Sequence, residues 1–189
     1  MMRSFFSIIY NLLSRIQWQI MCRGNYPDIK VMGLPYFRIM GTLKTQSKLV
    51  IQSGMIWNPI GGIKRTVIVV EKSGLLSFGK DVQLSNTNIY CRKEIIIGDN
   101  TMIGNGVSIW DTDFHSVSVK LRITKQDRGV SKKIEIGKNV FIGANTIILK
   151  GVNIGEGAVI GAGSVVSKDV GCNEIWAGNP CKYLKDVVD

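Results

Sequence analysis

Histidine is nearly absent from this chain. His115 is the only one in 189 residues. Cysteine is also sparse. Cys22, Cys91, Cys172 and Cys181 form no Cys-x-x-Cys pair, and with one histidine no Cys/His zinc set can be built, so no metal is expected. Their spacing suggests no disulfide framework, and free thiols in a reducing cytoplasm are the expectation. Negative charge is short as well: 14 acidic residues face 24 Lys and Arg, a net charge of +10. Such an excess favours an anionic partner, whether nucleic acid, a membrane surface or a phosphorylated small molecule. No RNP-type aromatic motif, helix-turn-helix pattern or zinc-finger spacing is present, which argues against nucleic acid.

No long hydrophobic run exists either. The stretch from Phe5 is cut by Arg15, Gln17 and Gln19, well short of the roughly 20 residues that span a bilayer. No small-x-small cleavage site follows it, so it does not read as a signal peptide. Phe5, Ile9, Leu12, Leu13, Ile16 and Ile20 fall near one helical face. That helix either caps the domain end or packs on a partner subunit; the sharper alternative is an interfacial helix at a membrane. Segment 1–49 also holds seven basic residues against Asp28.

What the chain has in abundance is a six-residue period. From position 97 the hexads read IGDNTM and IGNGVS; from 136 they read IGKNVF, IGANTI, ILKGVN, IGEGAV, IGAGSV and VSKDVG. The first position is Ile seven times and Val once, the second is usually Gly, and the fifth is small or β-branched. This period fits neither a helix nor a simple amphipathic strand. It fits short strands meeting at corners, with first-position side chains inward and Gly or Asn where tight turns ask for positive φ. Three hexads close one triangular coil of roughly 18 residues. A sandwich would space its turns at roughly 8–12 residues, which this pattern excludes. Weaker hexads start at 78, 84 and 90, and earlier at 50 and 56. The organisation expected is therefore a helical or irregular segment over 1–49, a β-solenoid over 50–179 and a tail over 180–189.

The phase breaks once on a large scale. Ile109 and Ile136 are 27 residues apart, which is not a multiple of six. Residues 111–133 are thus an excursion from the coil. Long irregular loops in compact domains are usually functional, and this one carries the only histidine.

At this level of detail the residues resemble a known family. KNVFIGANTIILKGVNIGEGAVIGAGSVVSKDV followed by IWAGNPCKYLK is similar to the hexapeptide-repeat acyltransferases, in the branch of galactoside, maltose and polysaccharide O-acetyltransferases. The resemblance covers about 75–185. It implies an all-β fold, a left-handed parallel β-helix, with hand carried over from the family because the usual crossover rule predicts the opposite. It implies a homotrimer with active sites between subunits, acetyl-CoA as co-substrate, and a saccharide hydroxyl as acceptor, from a capsule, lipopolysaccharide or exopolysaccharide precursor. A small acceptor such as an antibiotic, serine or an amino sugar is the alternative. The setting it implies is cytoplasmic or peripheral at the inner face of the membrane. Carbonic anhydrases of similar fold need three histidines on zinc and are excluded.

The resemblance also assigns roles. His115 matches the catalytic histidine, a general base that takes the proton of the attacking hydroxyl. Asp113 and Asp111 are candidates for orienting it or for holding sugar hydroxyls. Trp110 and Phe114 could stack on a sugar ring, and Asn86 falls near an acceptor-binding asparagine. Gly143, Ala144, Gly161, Ala162, Ser167 and Lys168 match the coenzyme groove, and the Gly143–Ala144 turn matches an oxyanion donor. Lys168, Lys182 and Lys185 are placed to meet the coenzyme phosphates. Relatives often carry arginine in that tail, and this chain does not.

Overall fold

The computed structural model describes Ile9, Leu12, Leu13 and Ile16, and then residues 29–188. The four early residues are helical and all are exposed. Phe5, Ile20 and Cys22 lie outside the described residues.

From residue 30 to residue 166 every third strand joins the same sheet, and the last two strands complete the first of the three. The first sheet holds β1 (Lys30–Gly33), β4 (Val50–Ser53), β7 (Gln83–Ser85), β10 (Met102–Ile103), β13 (Phe141–Ile142), β16 (Val159–Ile160), β18 (Glu174–Ala177) and β19 (Lys182–Asp186). The second holds β2 (Tyr36–Ile39), β5 (Val67–Val70), β8 (Asn88–Cys91), β11 (Ser108–Trp110), β14 (Ile147–Ile148) and β17 (Val165–Val166). The third holds β3 (Thr42–Ser47), β6 (Leu75–Lys80), β9 (Glu94–Ile97), β12 (Ile134–Ile136) and β15 (Asn153–Ile154). All pairings are parallel except β18 with β19. The result is a triangular prism of stacked coils.

The hexad explains its own packing. First-position residues Ile97, Ile103, Ile136, Ile142, Ile148, Ile154, Ile160 and Val166 are all buried, as are fifth-position Thr101, Val107, Val140, Thr146, Val152, Ala158, Ser164 and Val170. Each buried Ile contributes about 1.5–3 kcal/mol. The buried hydroxyls are satisfied by carbonyls at the corners: Thr101 Oγ1 donates to Gly137 O at 2.9 Å, and Thr146 Oγ1 to Gly161 O at 3.1 Å. The fourth position takes the corner. Asn100, Asn139 and Asn145 have φ near +58°, and glycine fills the same place at 106, 151, 157 and 163.

Three features differ from the sequence expectation. The coil begins at β1, not at residue 50. Val31, Phe37, Leu43 and Leu49 repeat every six residues and are all buried, but no glycine follows them. Residues 54–66 leave the coil between β4 and β5, where the hexad at 56 was expected to continue it. They form a loop with a 3-10 turn at Pro59–Gly61. Finally, the tail is structured: β19 folds back antiparallel on β18.

Candidate active site

The excursion leaves the coil after β11, at the corner between the second and third sheets, and returns at β12. A bridge between Thr112 and Ser131 closes its neck. Within it lies one short helix, α1 (Val119–Arg122).

His115 stands on a strained turn. Its N–H donates to Asp113 O at 2.7 Å, which forces Phe114 between them to φ +63°. An aromatic residue there costs about 1–3 kcal/mol, and such strain gathers at functional sites. The Phe114 ring is braced edge-on by Tyr90, 4.8 Å between centroids, and by Trp110, 5.8 Å. Tyr90 in turn hydrogen-bonds Glu71. From below, Gly129 fits against the turn so closely that a Cβ would lie 2.5 Å from Phe114 N. Glycine is required there because the neighbour is backbone and cannot yield.

The imidazole of His115 is 73% exposed, and its Nδ1 lies 2.6 Å from Asp127 Oδ2. The other carboxylate oxygen of Asp127 accepts the Ser116 N–H at 2.6 Å. The Asp127 carboxyl is held below its ordinary range, first by that N–H and then by His115. A carboxylate acceptor favours the proton on Nδ1, which leaves Nε2 free to accept a hydrogen bond.

Two aspartate roles expected from the sequence are therefore corrected. Asp111 is fully buried. Its carboxylate accepts the N–H groups of Arg92, Lys93 and Glu94 at 2.8, 2.6 and 2.8 Å, so it anchors the excursion to the preceding coil and meets no acceptor. Asp113 pairs with Lys150 at 2.6 Å instead of orienting the ring. Asn86 is corrected too: it is buried, accepting the Gly54 N–H at 2.7 Å and donating to Asn105 Oδ1 at 2.9 Å beneath the 54–66 loop. Asp127, Gly129 and Lys150 were not anticipated. Gly129 is the excursion's only glycine, a legible signal. Asp127 gave none, being brought to His115 from twelve residues away by folding alone.

The remaining candidates divide between two edges of the second sheet. Ser167 and Lys168 follow β17 at the His115 edge, both exposed. Gly143 and Ala144 follow β13, and Gly161 and Ala162 follow β16, at the opposite edge. There the backbone is bare and tight: a Cβ on Gly143 would lie 2.5 Å from Ala162 N, and one on Gly161 2.7 Å from Ala177 Cβ. The Gly143 N–H is taken by Ile160 O at 2.7 Å. Among the described residues the Ala144 N–H has no acceptor. Lys182 and Lys185 lie exposed on β19.

Comparisons with known proteins bear on this geometry. The profile of the "hexapeptide repeat of succinyl-transferase" matches residues 133–168. Over 96 residues the chain is 43% identical to a galactoside O-acetyltransferase of Lactococcus lactis, covering 51% of this chain and 45% of that protein. Over 127 residues it is 36% identical to the galactoside O-acetyltransferase of Escherichia coli, covering 64% and 61%. The chain thus spans less than two thirds of these relatives. The solved structure of the polySia-specific acetyltransferase NeuO superposes with a TM-score of 0.68 at 26% identity, covering 85% of this chain and 64% of that one. A galactoside acetyltransferase in complex with coenzyme A gives 0.57 at 22%, covering 95% and 82%, a likeness of fold alone.

The chain carries the hexapeptide-repeat fold of these acyltransferases. The prism is accordingly the left-handed β-helix. In this hexapeptide-repeat coil the histidine excursion is the one long departure on the edge between the second and third sheets, and the 54–66 loop is its counterpart on the edge between the first and second.

Proposed function

We propose that the protein transfers an acetyl group from acetyl-CoA to a hydroxyl of a saccharide, with His115 as general base. The observation that carries this reading is the exposed imidazole held at Nδ1 by Asp127. Nε2 takes the proton of the hydroxyl while its oxygen bonds to the thioester carbonyl carbon. The oxyanion is met by the Ala144 N–H. The C–S bond then breaks, and the leaving thiolate takes the proton from the imidazolium. The glycines and alanines of the opposite edge suit a pantetheine arm lying against backbone, and Ser167, Lys168, Lys182 and Lys185 suit its polar end. Trp110 and Phe114 suit a sugar ring, and Asp113 its hydroxyls.

The split of these residues over two edges supports a trimer, because the edge of one subunit must meet the other edge of its neighbour to complete a site. The outward columns agree. On the first sheet the column runs Val50, Gln83, Met102, Phe141, Val159, Ile175. On the third it runs Lys44, Ser77, Ile96, Glu135, Asn153. The first is built to be covered and the third to face water.

Thiol release from acetyl-CoA, measured with and without oligosaccharide acceptors, tests the reading. His115→Ala should cut acceptor-dependent release by roughly 10²–10⁴ with the fold intact. Near-normal transfer by that variant overturns the assignment. Sedimentation should return a trimer.

A further inference from the structure

Charge is segregated among the three edges of the prism. At the edge between the second and third sheets, Lys72 and Lys93 each lie two residues past the paired Val70 and Cys91. Lys150 and Lys168 each lie two residues past the paired Ile148 and Val166. Lysine thus sits in register on lysine on both sides of the coil that bears the histidine excursion. The excursion adds Lys120, Arg122, Lys125, Arg128, Lys132 and Lys133. Its three aspartates are all engaged: Asp111 by backbone, Asp113 by Lys150, Asp127 by His115. Among the described residues no carboxylate lies within ion-pair distance of Lys72, Lys93, Lys120, Lys125 or Arg128, and all five are exposed.

The other edges differ. Between the third and first sheets, charges are matched, Lys48 with Asp81 at 3.6 Å and Lys138 with Asp99 at 3.4 Å. Between the first and second, the corners after β7, β10, β13 and β16 carry no charge, and the two cations of the 54–66 loop are engaged, Lys64 by Asn145 Oδ1 at 3.2 Å and Arg65 over the Tyr36 ring. Like charges stacked at the strand spacing of about 4.8 Å repel each other. A ladder of them beside a base is a site for counter-charge arriving from outside.

We propose that the acceptor is a polyanionic saccharide that lies along this edge. Its negative groups meet Lys72, Lys93, Lys120 and Lys125 while one hydroxyl reaches His115. This inference rests on the acetyl-transfer reading and narrows its substrate class. The donor's phosphates are assigned to Lys168, Lys182 and Lys185, on the C-terminal side of the histidine coil. Lys72 and Lys93 lie on the N-terminal side, which leaves them to the acceptor. An ammonium meets a sugar carboxylate and a phosphate ester equally as a point charge, so either source fits.

The test compares the full chain, an edge variant (Lys72→Ser, Lys93→Ser, Lys125→Ser) and a control with the same charge removed elsewhere (Lys30→Ser, Lys44→Ser, Lys80→Ser). Binding of oligogalacturonate, phosphomannan and neutral maltoheptaose is measured by calorimetry without acetyl-CoA, and acetylation by thiol release. One anionic glycan should bind at least about tenfold tighter than the neutral one; the edge variant should lose about tenfold and the control less than twofold. Oligogalacturonate binding alone assigns a carboxylate, phosphomannan alone a phosphate. Equal losses in both variants, no anionic preference, or a raised KM for acetyl-CoA in place of weakened glycan binding overturns the proposal. Binding with this pattern but no thiol release refutes only the transfer reading, since the binding measurement requires no chemistry.

Discussion

The corners of the coil and the turn at Phe114 make the same backbone demand and meet it oppositely. Both need a residue with φ near +60°. At the corners the chain supplies asparagine or glycine, the residues for which that conformation costs least. At the histidine turn it supplies phenylalanine and surrounds it with restraints: two aromatic rings, a glycine packed against its backbone, and carboxylates on both flanks. A corner is stable wherever it is placed. The Phe114 turn exists only because its surroundings impose it, and what it gains is a fixed bearing for His115. The difference separates residues that build the scaffold from residues that aim it, and each substitution below tests one side.

The largest effect should come from His115→Ala, which removes the proposed base and leaves the scaffold untouched. Its cost of roughly 10²–10⁴ in turnover should appear with an unchanged melting temperature. The scaffold counterpart is Ile142→Ala. Ile142 is fully buried in the first-sheet column, and its truncation should cost about 2–5 kcal/mol by denaturant unfolding.

Gly129→Ala should move the aim without moving the scaffold. The added methyl meets Phe114 N at 2.5 Å, so the turn must shift. A displacement near 1 Å costs turnover about 10²-fold, and acetyl-CoA affinity should hold because the glycines and alanines proposed for the pantetheine arm lie on the opposite edge. Turnover near that of the parent would mean that the turn is not set by this contact. Asp127→Asn should cost about 10–100-fold, since an amide can present its N–H to Nδ1 and favour the wrong tautomer. The same carboxylate gives a pH signature. Its folded pKa lies below the unfolded value, so its stabilisation is complete above about pH 4, the ordinary aspartate value, and is lost as pH falls through the folded value. The melting-temperature gap between parent and Asp127→Asn should therefore close on acidification.

The same contrast explains what could be read from sequence. The hexads announced the column positions, the corner asparagines and the break after Ile109, because a repeat that depends only on local geometry leaves a period. Val31, Phe37, Leu43 and Leu49 kept that period without its glycines, and the first coil went unread. The partner of His115 left no period at all. Asp111 and Asp113 stand next to it in the chain, yet one is consumed by three backbone N–H groups and the other by Lys150. Which carboxylate reaches an imidazole is decided by how a loop folds back, and the spacing from 115 to 127 carries no regularity to betray it.

The smallest effect belongs to a corner, and it completes the comparison. Asn139 has φ +57° at an exposed corner between the third and first sheets, on a different edge from the one the excursion leaves. Asn139→Gly should shift stability by less than about 0.5 kcal/mol, because glycine adopts that conformation freely and loses only exposed side-chain hydrogen bonds. Asn139→Ala should cost about 1–2 kcal/mol, the penalty of a Cβ in the left-handed region. Neither should alter turnover. If Asn139→Ala lowered turnover as far as Gly129→Ala does, corners and histidine turn would be parts of one mechanical unit. The division between scaffold and aim would then fail at the position where it is easiest to measure.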